Sequence, residues 1–376
     1  MNRILVIFGT RPEAIKLAPV INALSEAYSI RVCNTGQHRE MIHQVLKALD
    51  IVPDSDLAIM ATNQDLVDVS AKVLDGIKNE IRKFEPDMLL VQGDTTSAMA
   101  AALAGFYMRV TIGHIEAGLR TASVAAPFPE ELNRRLISQM ASHHFAPTER
   151  ARRNLLEEGV ASEVITVTGN TVIDALLQNI DAARSQRFSP LLRKKMPFLS
   201  EDTKAAKKII LVTLHRRENF GAGVQDICDA LSVIARKNPE VQIVFPIHRN
   251  PNVLQPVEKM LTGISNITLL EPLDYFQFIK LLDLSYLVLT DSGGVQEEAP
   301  SLGKPVLIMR EETERSEGVD AGTAKIVGAS AYSISSQTQA LLEDYAEYQK
   351  MAHCHSPYGD GRAATRILDT LRGSIK

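Results

Sequence analysis

A run of strand-forming residues from Tyr286 to Leu289 stops at Thr290-Asp291-Ser292-Gly293-Gly294, and a helix start follows. The first turn of such a helix presents bare backbone N–H groups, and these seat phosphate. Gly293 and Gly294 let the backbone approach a diphosphate with no Cβ in the way, and the Ser292 hydroxyl adds a donor. Glu297 and Glu298, directly behind, would repel a bare phosphate, so at least one of them is expected to read hydroxyls such as a ribose diol. The same residues also suit an ordinary strand-to-helix turn. A second such place lies at the other end of the chain. Ile4 to Phe8 breaks at Gly9-Thr10-Arg11-Pro12-Glu13, and Pro12 suits the first turn of the helix that follows. Arg11 and Lys16 then stand where the helix dipole disfavours cations, which points to an anionic ligand. Solvated surface cations are the plainer alternative, more so for Lys16 than for Arg11.

These groups need elements that bring them together. Short apolar runs alternate with helical patterns through the first half: Ile30 to Cys33, Met88 to Val91 and Val110 to His114 end respectively at Gln37-His38, Gly93-Asp94 and His114 to Arg120. Another strand ends at Thr168-Gly169-Asn170-Thr171. Strands alternating with helices imply parallel order and right-handed crossovers, and in such sheets the polar residues past the strand C-termini share one edge. In Pro129-Glu130-Glu131-Leu132-Asn133-Arg134-Arg135, Pro129 can start a helix on which Glu130 faces Arg134 and Glu131 faces Arg135. One pair is expected at the surface and the other at the site. From Ala182 to Lys208 the chain turns polar and basic, with Pro190 and Pro197, and a second set of strands follows: Ile209 to Thr213, Ile243 to Phe245, Ile267 to Leu270, Tyr286 to Leu289 and Val306 to Met309. The expectation is α/β: two doubly wound, Rossmann-like domains facing a cleft. The N-terminal domain is residues 1–170, with a returning C-terminal helix over 360–376, and the second domain is 171–359.

The 376 residues exceed one typical core, which agrees with two domains. A formal net charge of -4 offers no broad basic surface for nucleic acid or an anionic membrane, so any anion site must be local. No apolar run reaches a membrane span, and Met1-Asn2-Arg3 leading into a strand is not a signal peptide, so a cytoplasmic location is expected. Three cysteines, Cys33, Cys228 and Cys354, fit structural thiols in a reducing compartment, and the nine histidines show no metal-ligand spacing.

Assembled, the expected cleft has a diphosphate seat (Ser292, Gly293, Gly294), cations for its charge (Arg11, His215, Arg315) and three carboxylates (Asp94, Glu116, Glu130). It lacks a nicotinamide-type glycine turn, a Walker lysine motif and a nucleophile elbow. Acid/base groups opposite a nucleotide diphosphate imply chemistry on a sugar attached to it. Cleavage at the anomeric carbon needs the leaving diphosphate stabilised by cations and helix N–H groups, and carboxylates can move protons or stabilise positive charge on the ring.

GTRPEAIK at Gly9 to Lys16, QHREM at Gln37 to Met41, QGDT at Gln92 to Thr95, HIEAGLR at His114 to Arg120, PEELNR at Pro129 to Arg134, TGNTVIDAL at Thr168 to Leu176, HRRENFG at His215 to Gly221 and the segment from Thr290 to Arg315 carry a resemblance over the whole chain. It resembles the bacterial non-hydrolysing UDP-N-acetylglucosamine 2-epimerases. The resemblance implies a glycosyltransferase-B type fold and interconversion of UDP-N-acetylglucosamine and UDP-N-acetylmannosamine for cell-surface polysaccharide synthesis, in a homodimer without NAD or metal. The implied route removes the C2 proton as UDP leaves, holds 2-acetamidoglucal and UDP, and adds UDP back with the proton on the other face. Asp94, Glu116 and Glu130 match the family's acid/base carboxylates and His215 its catalytic histidine. Arg11, Ser292, Gly293, Gly294, Glu298 and Arg315 match contacts to UDP, with Glu298 on the ribose, and Lys16 and Arg134 match residues of the sugar pocket. An allosteric site for a second UDP-N-acetylglucosamine is implied at Gln37, His38 and Gln64, with departures from the pattern at Glu40 and Asn63 that count against it. The alternatives are a hydrolysing epimerase that releases UDP and N-acetylmannosamine, a glycosyltransferase of the same fold, and a non-catalytic nucleotide-sugar sensor.

Overall fold

A computed structural model describes residues 3–37, 39–61, 64–125, 127–199, 208–353 and 356–374. The chain divides into two compact units, Met1–Gln178 with Tyr358–Lys376, and Asn179–Pro357. The division falls inside a helix, later than residue 170.

Unit 1 holds strands β1 (Arg3–Phe8), β2 (Ser29–Asn34), β3 (Ser55–Asp56), β4 (Met88–Gln92), β5 (Thr111–Ile115), β6 (His143–Ala146) and β7 (Ile165–Val167). Helices α1 (Arg11–Ser25), α2 (Arg39–Ala48), α3 (Leu66–Phe84), α4 (Thr96–Tyr107), α5 (Glu130–Met140), α6 (Glu149–Glu157) and α7 (Thr171–Ser185) alternate with them, and α7 runs on into unit 2. The strands lie parallel in the order β3-β2-β1-β4-β5-β6-β7. Strands covered on both faces read as continuous apolar runs, and Ile4 to Phe8 and Met88 to Gln92 are buried throughout. On α3 the buried Val69, Val73, Ile77 and Ile81 recur at helical spacing, and Asp65 with Asp68 closes a capping box at its start. The alanines of α4 pack closely in the same core as α3, with Leu89 and Val91 of β4.

Unit 2 is a second doubly wound sheet. It contains α8 (Pro190–Lys195), β8 (Ile209–Thr213), α9 (Ala222–Lys237), β9 (Gln242–Pro246), α10 (Pro251–Leu261), β10 (Ile267–Leu270), α11 (Tyr275–Leu284), β11 (Leu287–Thr290), α12 (Gly293–Ser301), β12 (Val306–Ile308), α13 (Ser316–Asp320), β13 (Ala324–Ile326), α14 (Ala331–Glu343) and α15 (Tyr345–Ala352). Its strands run β10-β9-β8-β11-β12-β13, all parallel. Helix α16 (Ala363–Ser374) belongs to unit 1. Asp174 on α7 accepts from the N–H groups of Ala363 (3.2 Å) and Ala364 (2.8 Å) and so satisfies the open start of α16.

Three strands were absent from the sequence reading. β3 is two residues long, β13 is Ala-Lys-Ile, and β6 opens with His143-His144, whose polarity conceals a strand. Buried His144 nevertheless stands directly opposite His114 of β5. Among the described residues no helix is long and apolar enough to cross a membrane, and no group of side chains is arranged to hold a metal ion. Cys33 and Cys228 are free thiols, each pushed up to about 12 by burial, and Cys354 lies outside the described residues.

Candidate active site

In each sheet the strand order reverses at one place, between β1 and β4 in unit 1 and between β8 and β11 in unit 2. The loops after these strands part there and leave room for a ligand at the strand C-termini. The expected residues concentrate at these two places.

In unit 1 the turn after β4 carries Gly93 (φ 71°) and Asp94. Arg134 Nη2 of α5 donates to Asp94 Oδ2 at 2.5 Å, and Asn133 Nδ2 donates to the Asp94 backbone carbonyl at 2.9 Å. Glu116, after β5, is a buried non-glycine residue held at φ 66°, a backbone strain that concentrates at functional sites. Its Oε2 accepts from Gln92 Nε2 at 2.6 Å and from Lys16 Nζ. Lys16 is only 7% exposed, so it is no solvated surface cation; Glu116 is the partner that permits its burial. Arg11 is half-buried at the start of α1.

The expected pairing on α5 is corrected. Arg134 turns to Asp94 and not to Glu130, while Glu131 is fully buried and takes Arg135 Nε (2.8 Å), the Thr121 N–H (3.1 Å) and an ion pair with Arg134 (3.3 Å). The pair Glu131–Arg135 is therefore an anchor of the helix and not a surface pair. Three polar ends remain: Glu130 Oε2, Arg134 Nε and Arg134 Nη1 are buried without a hydrogen-bond partner among the described residues, and Nη1 has only its ion pair with Glu131. Unfilled hydrogen-bonding capacity of this kind is costly unless water or a ligand supplies the partner.

Behind Asp94, His114 is fully buried, and its Nε2 lies 2.8 Å from the Gly93 carbonyl. A carbonyl only accepts, so Nε2 carries the hydrogen. Burial keeps the ring neutral and pushes its pKa down to about 3. Arg120, in the same motif, is engaged elsewhere, by Glu158 (2.6 and 2.7 Å) and Ser138 (2.9 Å). Gln37 accepts from Ser97 Oγ at 2.8 Å, whereas Gln64 binds the Ala61 N–H (2.9 Å) and Lys72 Nζ (3.2 Å), so these two have separate partners. His38 and Asn63 lie outside the described residues, as does the side chain of Glu40.

In unit 2, Ser292 caps α12 with extended backbone, and its side chain makes no capping bond. Gly293 stands close to Arg315: a Cβ there would lie 2.5 Å from Arg315 Nη1, so the guanidinium would have to shift. Arg315 Nε donates to Glu297 Oε1 at 2.7 Å, and Nη1 donates to Glu314. Glu314 also accepts from Arg310 at 2.9 Å. Burial alone would raise the Glu314 carboxyl, but Arg315, Arg310 and Arg216 together hold it far below the usual range. Glu297, on α12, is thus tied to Arg315, and Glu298 on the same helix is 7% exposed.

Asp291, to which the sequence reading gave no role, organises His215. It is fully buried and accepts the N–H groups of His215 (3.0 Å) and Arg216 (2.8 Å) and Asn219 Nδ2 (3.2 Å). His215 Nδ1 lies 3.1 Å from Asp291 Oδ1. Burial works to raise the Asp291 carboxyl, but the hydrogen bond and charge of His215 and the two backbone N–H groups outweigh it and hold it low. The ionised carboxylate accepts only, so His215 carries a hydrogen on Nδ1. The spacing from residue 215 to 291 gave no signal of this pairing; the adjacency of β8 and β11 makes it.

Two parallel doubly wound units, each with polar residues gathered past the strands of its switch point, define the class of Rossmann-like α/β proteins. The profile of the UDP-N-acetylglucosamine 2-epimerase family matches residues 22–372. The chain is 52% identical over 372 residues to a UDP-N-acetylglucosamine 2-epimerase of Yersinia pestis, covering 98% of each chain. It is 50% identical over 375 residues to that of Escherichia coli K12, covering 99% of each. Among solved structures, the Neisseria meningitidis UDP-GlcNAc 2-epimerase bound to UDP-GlcNAc matches with a TM-score of 0.93 at 45% identity, over 99% of this chain and 100% of that one. A Methanocaldococcus jannaschii UDP-GlcNAc 2-epimerase in complex with UDP-GlcNAc and UDP matches with a TM-score of 0.84 at 32% identity, over 99% of each. The chain belongs to the UDP-N-acetylglucosamine 2-epimerase family.

Proposed function

We propose that this protein interconverts UDP-N-acetylglucosamine and UDP-N-acetylmannosamine without hydrolysis. The observation that carries the reading is the Asp94–Arg134 pair beside the unpartnered Glu130 Oε2 and Arg134 Nε, in a chain whose relatives bind UDP-N-acetylglucosamine. C2–H of the sugar has no adjacent carbonyl to acidify it, so cleavage of the anomeric C–O bond must lead or accompany proton loss. One of Asp94, Glu116 and Glu130 takes the C2 proton, the electron pair of that bond forms the C1–C2 double bond, and UDP leaves with the pair from C1–O. Re-addition of UDP, with a proton delivered to the opposite face of C2, gives the epimer. In this scheme Lys16 holds the carboxylate of Glu116 in place, and Arg134 that of Asp94.

The residues of unit 2 are assigned to UDP: the N–H groups at Gly293 and Gly294, the Ser292 hydroxyl and Arg315 on the diphosphate, Glu298 on the ribose. His215 is assigned to the leaving diphosphate: with its Nδ1–H donating to Asp291, the ring protonated on Nε2 donates from that nitrogen to the developing charge. Arg11 is assigned to the diphosphate as well.

Proton NMR of the purified protein with UDP-N-acetylglucosamine in heavy water tests the reading. UDP-N-acetylmannosamine carrying deuterium at C2 is expected. Free UDP and N-acetylmannosamine appearing at the rate of substrate loss would instead show the hydrolysing reaction. An unchanged spectrum with UDP still bound would refute epimerisation.

A further inference from the structure

Glu13 has no part in the scheme above, yet it is buried, at 2% exposed, among donors. Its Oε2 accepts from the backbone N–H groups of Gly9 (3.0 Å) and Thr10 (2.8 Å), the two residues before Arg11. Its Oε1 accepts from the Thr95 hydroxyl at 2.6 Å, and Thr95 is the residue after Asp94. Thr95 in turn caps α4 by accepting the Ala98 N–H at 3.0 Å. One carboxylate therefore ties the turn after β1 to the turn after β4, across the place where the strand order of the sheet reverses.

An ordinary capping glutamate reaches only its own helix start. Glu13 does that and spends its second oxygen on a different turn. Of the three residues of that turn, Gly93 is held by His114, Asp94 by Asn133 and Arg134, and Thr95 by Glu13. We infer that Glu13 is a positioning residue that acts through Thr95 to set the Asp94 carboxylate for proton transfer, and through Gly9 and Thr10 to set the Arg11 turn. This rests on the assignment of Asp94 and Arg11 made above. Burial raises the Glu13 carboxyl, and the hydrogen bonds from Thr95, Thr10 and Gly9 work against that by favouring its ionised form.

The test is a double-mutant cycle on kcat with Glu13→Ala and Thr95→Ala, with UDP affinity and Tm measured for each protein. If Glu13 acts through Thr95, each single variant lowers kcat about tenfold or more. The double variant is then no slower than the slower single one, and Thr95→Ser, which keeps the hydroxyl, stays within about twofold of wild type. UDP affinity falls in Glu13→Ala and is kept in Thr95→Ala. Multiplying kcat losses, or a kcat within about twofold of wild type in either alanine variant, would overturn the inference. Should Glu13→Ala fail to fold, the contrast between Thr95→Ala and Thr95→Ser decides: equal activities overturn it. Wild-type turnover in the same assay tests the reading of the site separately. If wild type does not exchange the C2 proton, that reading fails, and unchanged UDP affinity in Glu13→Ala would then overturn the role of Glu13 as well.

Discussion

Replacing Asp291 by Asn changes one atom and should cost His215 the acceptor of its Nδ1 hydrogen. Asp291 Oδ2 faces three donors, the N–H groups of His215 and Arg216 and the Asn219 amide, at 2.8–3.2 Å. The oxygen of the introduced amide must stay at that position to satisfy them, and its NH2 is then left facing His215 Nδ1, which lies 3.1 Å from Oδ1 in the native protein. Two donors cannot face each other. Nδ1 must give up its hydrogen or the ring must turn away, and the carboxylate that would support positive charge on the ring is gone. The direct loss is one hydrogen bond to a charged group, about 1.5–3 kcal/mol. If that bond matters only when the leaving diphosphate develops charge, kcat falls by a factor of about 10–150. The assay is turnover of UDP-N-acetylglucosamine followed by NMR, with Tm and UDP affinity measured in parallel. A folded variant with kcat within about twofold of wild type would refute the claim that Asp291 orders His215 for catalysis.

Arg134→Lys keeps the charge and loses the fork that reaches Asp94, so kcat/KM should fall by the same factor of about 10–150; unaltered kinetics would show that the planar geometry of Arg134 is not needed. At the start of α12 the two glycines should behave differently in thermal unfolding. Gly293→Ala forces the paired Arg315 aside and lowers Tm, whereas at Gly294 the nearest atom to a Cβ is Glu298 Oε2 at 3.8 Å, and alanine there should hold or raise Tm by its helix propensity. Equal Tm changes would contradict the packing. His114 and His144 have folded pKa values pushed down by burial to about 3 and about 4 from the ordinary histidine value of 6.5. Below pH 6.5 the unfolded chain binds protons that the folded one refuses, so stability is present above that pH and falls as pH drops toward 4, by up to about 1.4 kcal/mol per pH unit for each histidine. Denaturant unfolding at pH 7, 6 and 5 measures this, and a flat profile would refute it.

The sequence by itself determined the architecture and the places where chemistry collects. Short continuous apolar runs such as Ile4 to Phe8 and Leu287 to Leu289, bounded by turn residues, suit strands covered on both faces, and alternation with helices makes them parallel. Polar residues just past such strands fall on one edge of the sheet whatever else happens, so Asp94, Glu116, His215 and Ser292 were legible as neighbours of strand ends. Weak strands were not: His143 to Ala146 and Ala324 to Ile326 are strands because each has a neighbour to pair with, which no local preference reveals.

Only the tertiary structure decided which charged group meets which. Helical spacing placed Arg134 opposite Glu130, but a guanidinium takes whichever carboxylate the fold brings within its reach, and the turn after β4 offers Asp94 at 2.5 Å. Lys16 with Glu116, His215 with Asp291 and Glu13 with Thr95 are likewise partners far apart in the chain. A hydrogen bond is short beside the distance between two strands. Its partner is therefore set by strand order, and the orders β2-β1-β4 and β9-β8-β11 come from packing the whole sheet rather than from any local run of residues.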